Sequence, residues 1–120
     1  MEIVPVRVDV TTNAGGAGTT RSNQRVNGKV YAVQLVDGTF DDGVDVTLTV
    51  ENDDLSVPVL VKADFNTDQM VYPRVLEALN TDGTALTTHT EPIACGFPKA
   101  VVAAGGNAKS GSFIFFIVPF

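Results

Sequence analysis

Apolar side chains recur at every second position along much of this chain, and no other feature constrains its fold as tightly. Val4, Val6, Val8 and Val10 alternate with Ile3, Pro5, Arg7 and Asp9. Val44, Val46, Leu48 and Val50 alternate with Asp45, Thr47, Thr49 and Glu51. An amphipathic helix needs a period near 3.6, whereas a period of two belongs to a strand with one buried face. The same reading gives strands over 29–36, 55–63, 69–72, 91–95, 98–104 and 112–118. Pro5 and Pro58 cannot donate a ladder hydrogen bond, which places the first strand at an edge and the 55–63 strand at an edge or bulge. A two-turn helix opening at Pro73, with Leu76 and Leu79 one turn apart, is the one helical candidate.

Turn signals separate these runs. They fall at Glu51-Asn52-Asp53-Asp54, at Asn66-Thr67-Asp68 and at Thr81-Asp82-Gly83-Thr84. Residues 11–24, TTNAGGAGTTRSNQ, hold no apolar side chain larger than alanine and read as a flexible loop or displaced arm. The chain of 120 residues fits one domain. Many short strands at intervals of about ten residues predict an all-β, single-domain antiparallel β-sandwich or jelly roll of about eight strands. Residues 1–24 are expected to form an N-terminal arm and 25–120 the core.

The terminal strand breaks the alternation. Ile114 to Val118 are apolar at every position, so both faces need cover. One face meets the core, and the other calls for a second sheet edge, the N-terminal arm or another subunit. The run Phe113 to Phe120 is too short to span a bilayer, and MEIVPVRV lacks the basic and apolar regions of a secretory signal.

The net charge of −6 argues against nucleic acid as the main partner. Its distribution is uneven: residues 1–36 are net +2, residues 37–82 net −9 and residues 83–120 net +1. Such a split suits ordered contacts with a complementary surface, including another copy of the chain. A solvated acidic face that keeps the protein soluble is the alternative.

The acidic band begins with VDGTFDDGVD at 36–45. A calcium loop requires D-x-[DN]-x-[DN]-G with glutamate at position twelve. With Gly43 at position six, Gly38 falls at one, Phe40 at three and Thr49 at twelve. Starting at Asp37 instead puts Asp42 where glycine is needed and Leu48 at the end. The template fails in both registers, leaving only an irregular oxygen cage of Asp37, Asp41, Asp42 and Asp45. A hydrolytic carboxylate pair needs one acid in an apolar cleft, and Asp41 and Asp42 lie in a turn. Asp37-Gly38 and Asp42-Gly43 are turn dipeptides, with Phe40 tucked back into the core.

Other chemistry is equally sparse. His89 and Cys95 are the sole histidine and cysteine, so zinc would need several carboxylates and no internal disulfide can form. Cys95, beside Ile93 and Ala94, reads as a small buried hydrophobe. Gly15-Gly16-Ala17-Gly18 lacks both the third glycine of a dinucleotide loop and the GK[ST] of a P-loop. There is no tryptophan to stack on a sugar. No catalytic residue, cofactor or metal ligand is expected.

Several segments carry a resemblance. Gly28-Lys29-Val30-Tyr31-Ala32-Val33 and Asp37-Gly38-Thr39 are followed by Tyr72-Pro73-Arg74, Thr81-Asp82-Gly83-Thr84-Ala85-Leu86 and Glu91-Pro92-Ile93. Lys99-Ala100-Val101-Val102-Ala103-Ala104-Gly105-Gly106-Asn107 completes the order. Over most of residues 28–118 the chain resembles small structural proteins of tailed bacteriophages encoded among the head genes, some of which are capsid decoration (cement) proteins. The resemblance transfers no functional residue. It implies a protein made in the bacterial host cytoplasm and carried on the capsid surface of the virion. Its partners would be the major capsid protein and itself, as homodimer or homotrimer, without nucleic acid or membrane. Strand addition by an arm and avidity from many copies suit that role. Contacts are expected mainly from residues 1–24 and 112–120. The candidate interface residues are Val4, Val6, Arg7, Val8, Arg21, Arg25, Asp41, Asp42, Phe113, Phe115, Phe116 and Phe120. A receptor- or carbohydrate-binding β-module on a phage fibre or capsid spike is the second reading, and a small enzyme using Cys95 and His89 the third.

Overall fold

The computed structural model describes residues 2–52, 55–76 and 89–120, and among them every regular element is a strand. The strands are β1 (Val4–Thr11), β2 (Gly18–Arg21), β3 (Val26–Val36), β4 (Asp45–Glu51), β5 (Ser56–Lys62), β6 (Gln69–Val71), β7 (Val75–Leu76), β8 (His89–Thr90), β9 (Ile93–Ala103) and β10 (Ser110–Pro119). All pairings are antiparallel. Eight strands form one hydrogen-bonded sheet with the path β1-β10-β3-β9-β4-β5, β2 pairing with β9 and β6 with β3, while β7 and β8 make a separate ribbon.

Two long strands keep this sheet continuous. β3 pairs with β10 along one side, and on its other side Val26–Lys29 meet β9 at Ile93–Gly96. Beyond that point β9 pairs with β4 through Phe97–Ala103 and with β2 through Lys99–Val102. Gly28 lies between β10 and β9, where a methyl group would overlap the Val118 carbonyl oxygen. The sheet curls back on itself: β1 at one end of the path and β5 at the other both feed one core. Flat strands about 4.8 Å apart would hold those ends roughly 24 Å from each other.

The alternation places the side chains as expected. Val6, Val8 and Val10 of β1 and Val46, Leu48 and Val50 of β4 are buried, and their sequence neighbours point outward. Phe40 is buried, with its ring 6.2 Å from Phe65 and 6.4 Å from Phe113. Gly38 and Gly43 adopt φ of 57° and 88°, a region costly for side chains with a Cβ, so both dipeptides are turns. β1 and β5 are the two ends of the sheet path, the edge positions at which Pro5 and Pro58 are tolerated. Opposite Leu48 and Thr49, β5 inserts Val59 as a bulge and buries it.

Several expectations are corrected. Residues 1–24 are not a free arm: β1 pairs with β10 over eight positions and β2 with β9 over four. The glycine-rich connection between them is satisfied internally. Asn13 Oδ1 accepts from Gly15 N and Ala17 N at 2.9 and 3.1 Å, and Gly105 N donates to Gly16 O at 2.9 Å. Buried Thr12 donates its hydroxyl to Gly106 O at 2.5 Å and accepts from Lys109 N at 2.9 Å. The strands expected at 91–95 and 98–104 are one, β9, running through Pro98, which has no N–H but whose carbonyl accepts from Ser22 N at 2.8 Å. Where a helix was expected from Pro73, Val75–Leu76 pair as a strand with His89–Thr90. The rest of that candidate, including Leu79, and the turn at 81–84 lie outside the described residues.

Candidate interaction surface

The expected interface residues divide by burial. Val6, Val8, Phe113 and Phe115 point into the chain's own core and present nothing to a partner, which corrects their assignment. They occupy the inward phase of β1 and β10, and Val6 lies opposite Phe115 and Val8 opposite Phe113. Val4 and Phe116 are half-buried, while Arg7, Arg21, Arg25, Asp41, Asp42 and Phe120 are exposed. The outer phase of β10, Ile114, Phe116 and Val118, is partly covered by neighbouring strands of the same chain.

These residues form no single patch. Arg7 belongs to a small polar network on β1, donating Nε–H to Asp9 Oδ1 at 2.8 Å and Nη2–H to Ser112 Oγ at 3.1 Å. The Ser112 hydroxyl donates to Asp9 Oδ1 at 2.6 Å. That bond, and then Arg7, hold the Asp9 carboxyl below the ordinary carboxylate range.

Asp41 and Asp42 sit at the end of the sheet where β4 begins, together with Asp37, Asp45, Asp64 and Asp68. Their loops are laced together: Asp37 N donates to Asp68 Oδ1 at 2.8 Å, Asp64 N to Asp45 Oδ1 at 3.1 Å and Gly43 N to Asn66 Oδ1 at 2.7 Å. Partial burial, then the charges of Asp68 and Asp42, push the Asp37 carboxyl above its ordinary range. Among the described residues no three histidine, cysteine, aspartate or glutamate side chains converge as metal ligands.

Arg21 and Arg25 lie toward the other end. The Arg21 guanidinium stands 4.3 Å from the centre of the Phe97 ring and that of Arg25 5.9 Å from it. Beside them Glu51 accepts from Lys99 Nζ at 2.8 Å and from Arg21 Nη1 at 3.3 Å. The Lys99 hydrogen bond is the main reason the Glu51 carboxyl is held below its ordinary range.

A further surface joins β3, β7, β8 and β9. Tyr31 and Tyr72, 40% and 55% exposed, pack edge to face with centroids 5.8 Å apart. Arg74 lies over the Tyr31 ring at 5.7 Å and donates to Tyr31 O at 3.0 Å. The chain continues from Tyr72 into a groove of about 400 Å³ whose walls include Val57, Pro58, Val75, Pro92 and Ile93. Ile93 is 53% exposed. Glu91, also at the groove, is held below its ordinary range first by its own backbone amide, with Arg74 and Lys29 adding to the effect.

Sequence reasoning missed this surface because it assigned no outward phase to the 29–36 strand. Tyr31 continues the outward phase of Asn27 and Lys29, and it is also the extra residue of a bulge, with Ile117 facing Val30 and Phe116 facing Ala32. Its place in the polar phase of an alternating run was the available signal. Cys95, expected to be buried, is half-buried in β9, and no hydrogen bond joins it to exposed His89 in β8. Among the described residues no helix is long and apolar enough to cross a membrane.

No protein-family model, curated protein or solved structure matches the chain.

Proposed function

We propose that this chain is a virion structural protein of a tailed bacteriophage, a decoration or cement protein that binds the major capsid protein lattice and stabilises the head. The observation that carries the reading is the exposed apolar surface of Tyr31, Tyr72, Val75 and Ile93, rimmed by Arg74, Lys29 and Glu91. An apolar and aromatic centre within a charged rim is the anatomy of a protein–protein interface. The resemblance over 28–118 supplies the phage setting. A lattice of identical sites rewards a modest surface of this kind through avidity. The partners are then the major capsid protein and further copies of this chain.

Quantitative mass spectrometry of purified virions tests this directly. Head decoration requires copies on the order of hundreds per particle, as a lattice of repeated sites demands. A dozen or fewer would assign the chain to a connector, tail or spike and overturn the reading. One observation favours the receptor- or carbohydrate-binding alternative: the exposed Tyr31–Tyr72 pair is a stacking surface. Glycan-array binding lost on Tyr72→Ala, at low virion copy number, would establish that alternative.

A further inference from the structure

We propose that copies of this chain join head to tail, with the Asp41–Asp42 end of one seated on the Arg21–Phe97–Arg25 surface of the next. Arg21 and Arg25 converge on one ring, at 4.3 and 5.9 Å, and the nearby carboxylate of Glu51 is shared between Arg21 and Lys99. Arg25 meets no carboxylate among the described residues. Two guanidiniums at one aromatic ring, one meeting no carboxylate among the described residues, form a surface suited to an incoming carboxylate.

The same molecule carries the complementary surface. Six aspartates gather at the end of the sheet where β4 begins, and Lys62 and Lys109 are the cations at that end among the described residues. Asp41 and Asp42 are exposed and, among the described residues, paired with no cation. Asp41 N donates to Gly105 O at 3.0 Å, and the glycine turns at 38 and 43 hold the loop in place.

The two surfaces cannot neutralise one another within one copy. Asp45 pairs with Ala103 at one end of β9, and Glu51 pairs with Phe97 at the other. Six residues of strand separate them, roughly 20 Å. A two-fold contact at either end would set like charge against like, whereas a head-to-tail contact sets unlike against unlike. Exposed pairs of this kind act on association rate and salt dependence more than on ultimate affinity. The inference deepens the self-association part of the proposed function. It is independent of the lattice part, because its test contains no capsid.

Sedimentation velocity of the full chain at low and high salt decides it, with two charge-reversed variants, Arg21→Glu/Arg25→Glu and Asp41→Lys/Asp42→Lys. All four positions are exposed, and thermal melts confirm that each variant folds. Self-association of the unaltered chain should weaken about tenfold between low and high salt, as screening of exposed charges requires. Each variant alone should be monomeric. Their equimolar mixture restores unlike charge at the contact, with Asp41–Asp42 of the first variant facing Arg21 and Arg25 of the second, and should associate. An unaltered chain that stays monomeric at low salt, a variant that associates alone as well as the unaltered chain, or a mixture that stays monomeric overturns the proposal.

Discussion

Phe113 and Phe120 belong to the same apolar segment, yet burial gives them opposite weight. Phe113 is fully buried against Phe40 and Phe65, while Phe120 is 76% exposed. Phe113→Ala should cost about 3–5 kcal/mol in urea unfolding, through lost transfer energy and the cavity left behind. Phe120→Ala should stay within about 0.5 kcal/mol. Asp37 gives a pH-dependent prediction. Its folded pKa is raised, so its contribution to stability is full below the unfolded value and lost as pH rises through the folded one. At neutral pH the charged carboxylate opposes folding, and its buried Oδ1 has no hydrogen-bond partner. Asp37→Asn should therefore raise the melting temperature at pH 7, and the gain should vanish near pH 3, below the ordinary aspartate pKa of about 3.9.

At the scale of elements, β1 and the β3–β9 junction carry the sheet. β1 contributes Val6, Val8 and Val10 to the core, each worth ~1.5–3 kcal/mol when buried. Deleting residues 1–12 should thus abolish cooperative unfolding by circular dichroism, where loss of a detached arm would leave the melt unchanged. At the junction, Gly28→Ala forces a methyl against the Val118 carbonyl and should cost at least about 2 kcal/mol in urea unfolding. Elements were legible where side chains mark them. Clean alternation in β1 and β4, and prolines in β1 and β5, announced both the strands and their edges. β2 was not legible, because Gly18–Arg21 is short and joins β9 through backbone groups that every residue shares. β9 was read as two strands, 91–95 and 98–104, whereas ladder partners in β3 and then β4 carry one extended strand through Gly96 and Phe97.

For the whole molecule, the surface around Tyr31, Tyr72 and Ile93 is the one on which capsid binding should depend. Ile93→Asp is expected to weaken retention on purified heads, measured by co-sedimentation, at least about tenfold while leaving stability within about 0.5 kcal/mol. Unchanged retention would remove this surface from the proposed contact. The candidate site was legible only in fragments. Arg21, Arg25, Asp41 and Asp42 are exposed as expected, but Phe97 beside the arginines and Ile93 beside the groove were not singled out. Their places follow from pairings across the sheet, Phe97 with Glu51 and Ile93 with Lys29.

Period-two alternation, turn dipeptides and edge prolines are local properties written in side chains. By themselves they determined that this chain is all-β, where most strands lie and that Phe40 turns inward. The order of strands, the bulge at Tyr31, the inclusion of residues 4–21 in the sheet and the separation of acidic and basic ends were decided by tertiary structure. Backbone hydrogen bonds are the same at every residue, so partners distant in sequence are selected only when the apolar faces close on one core.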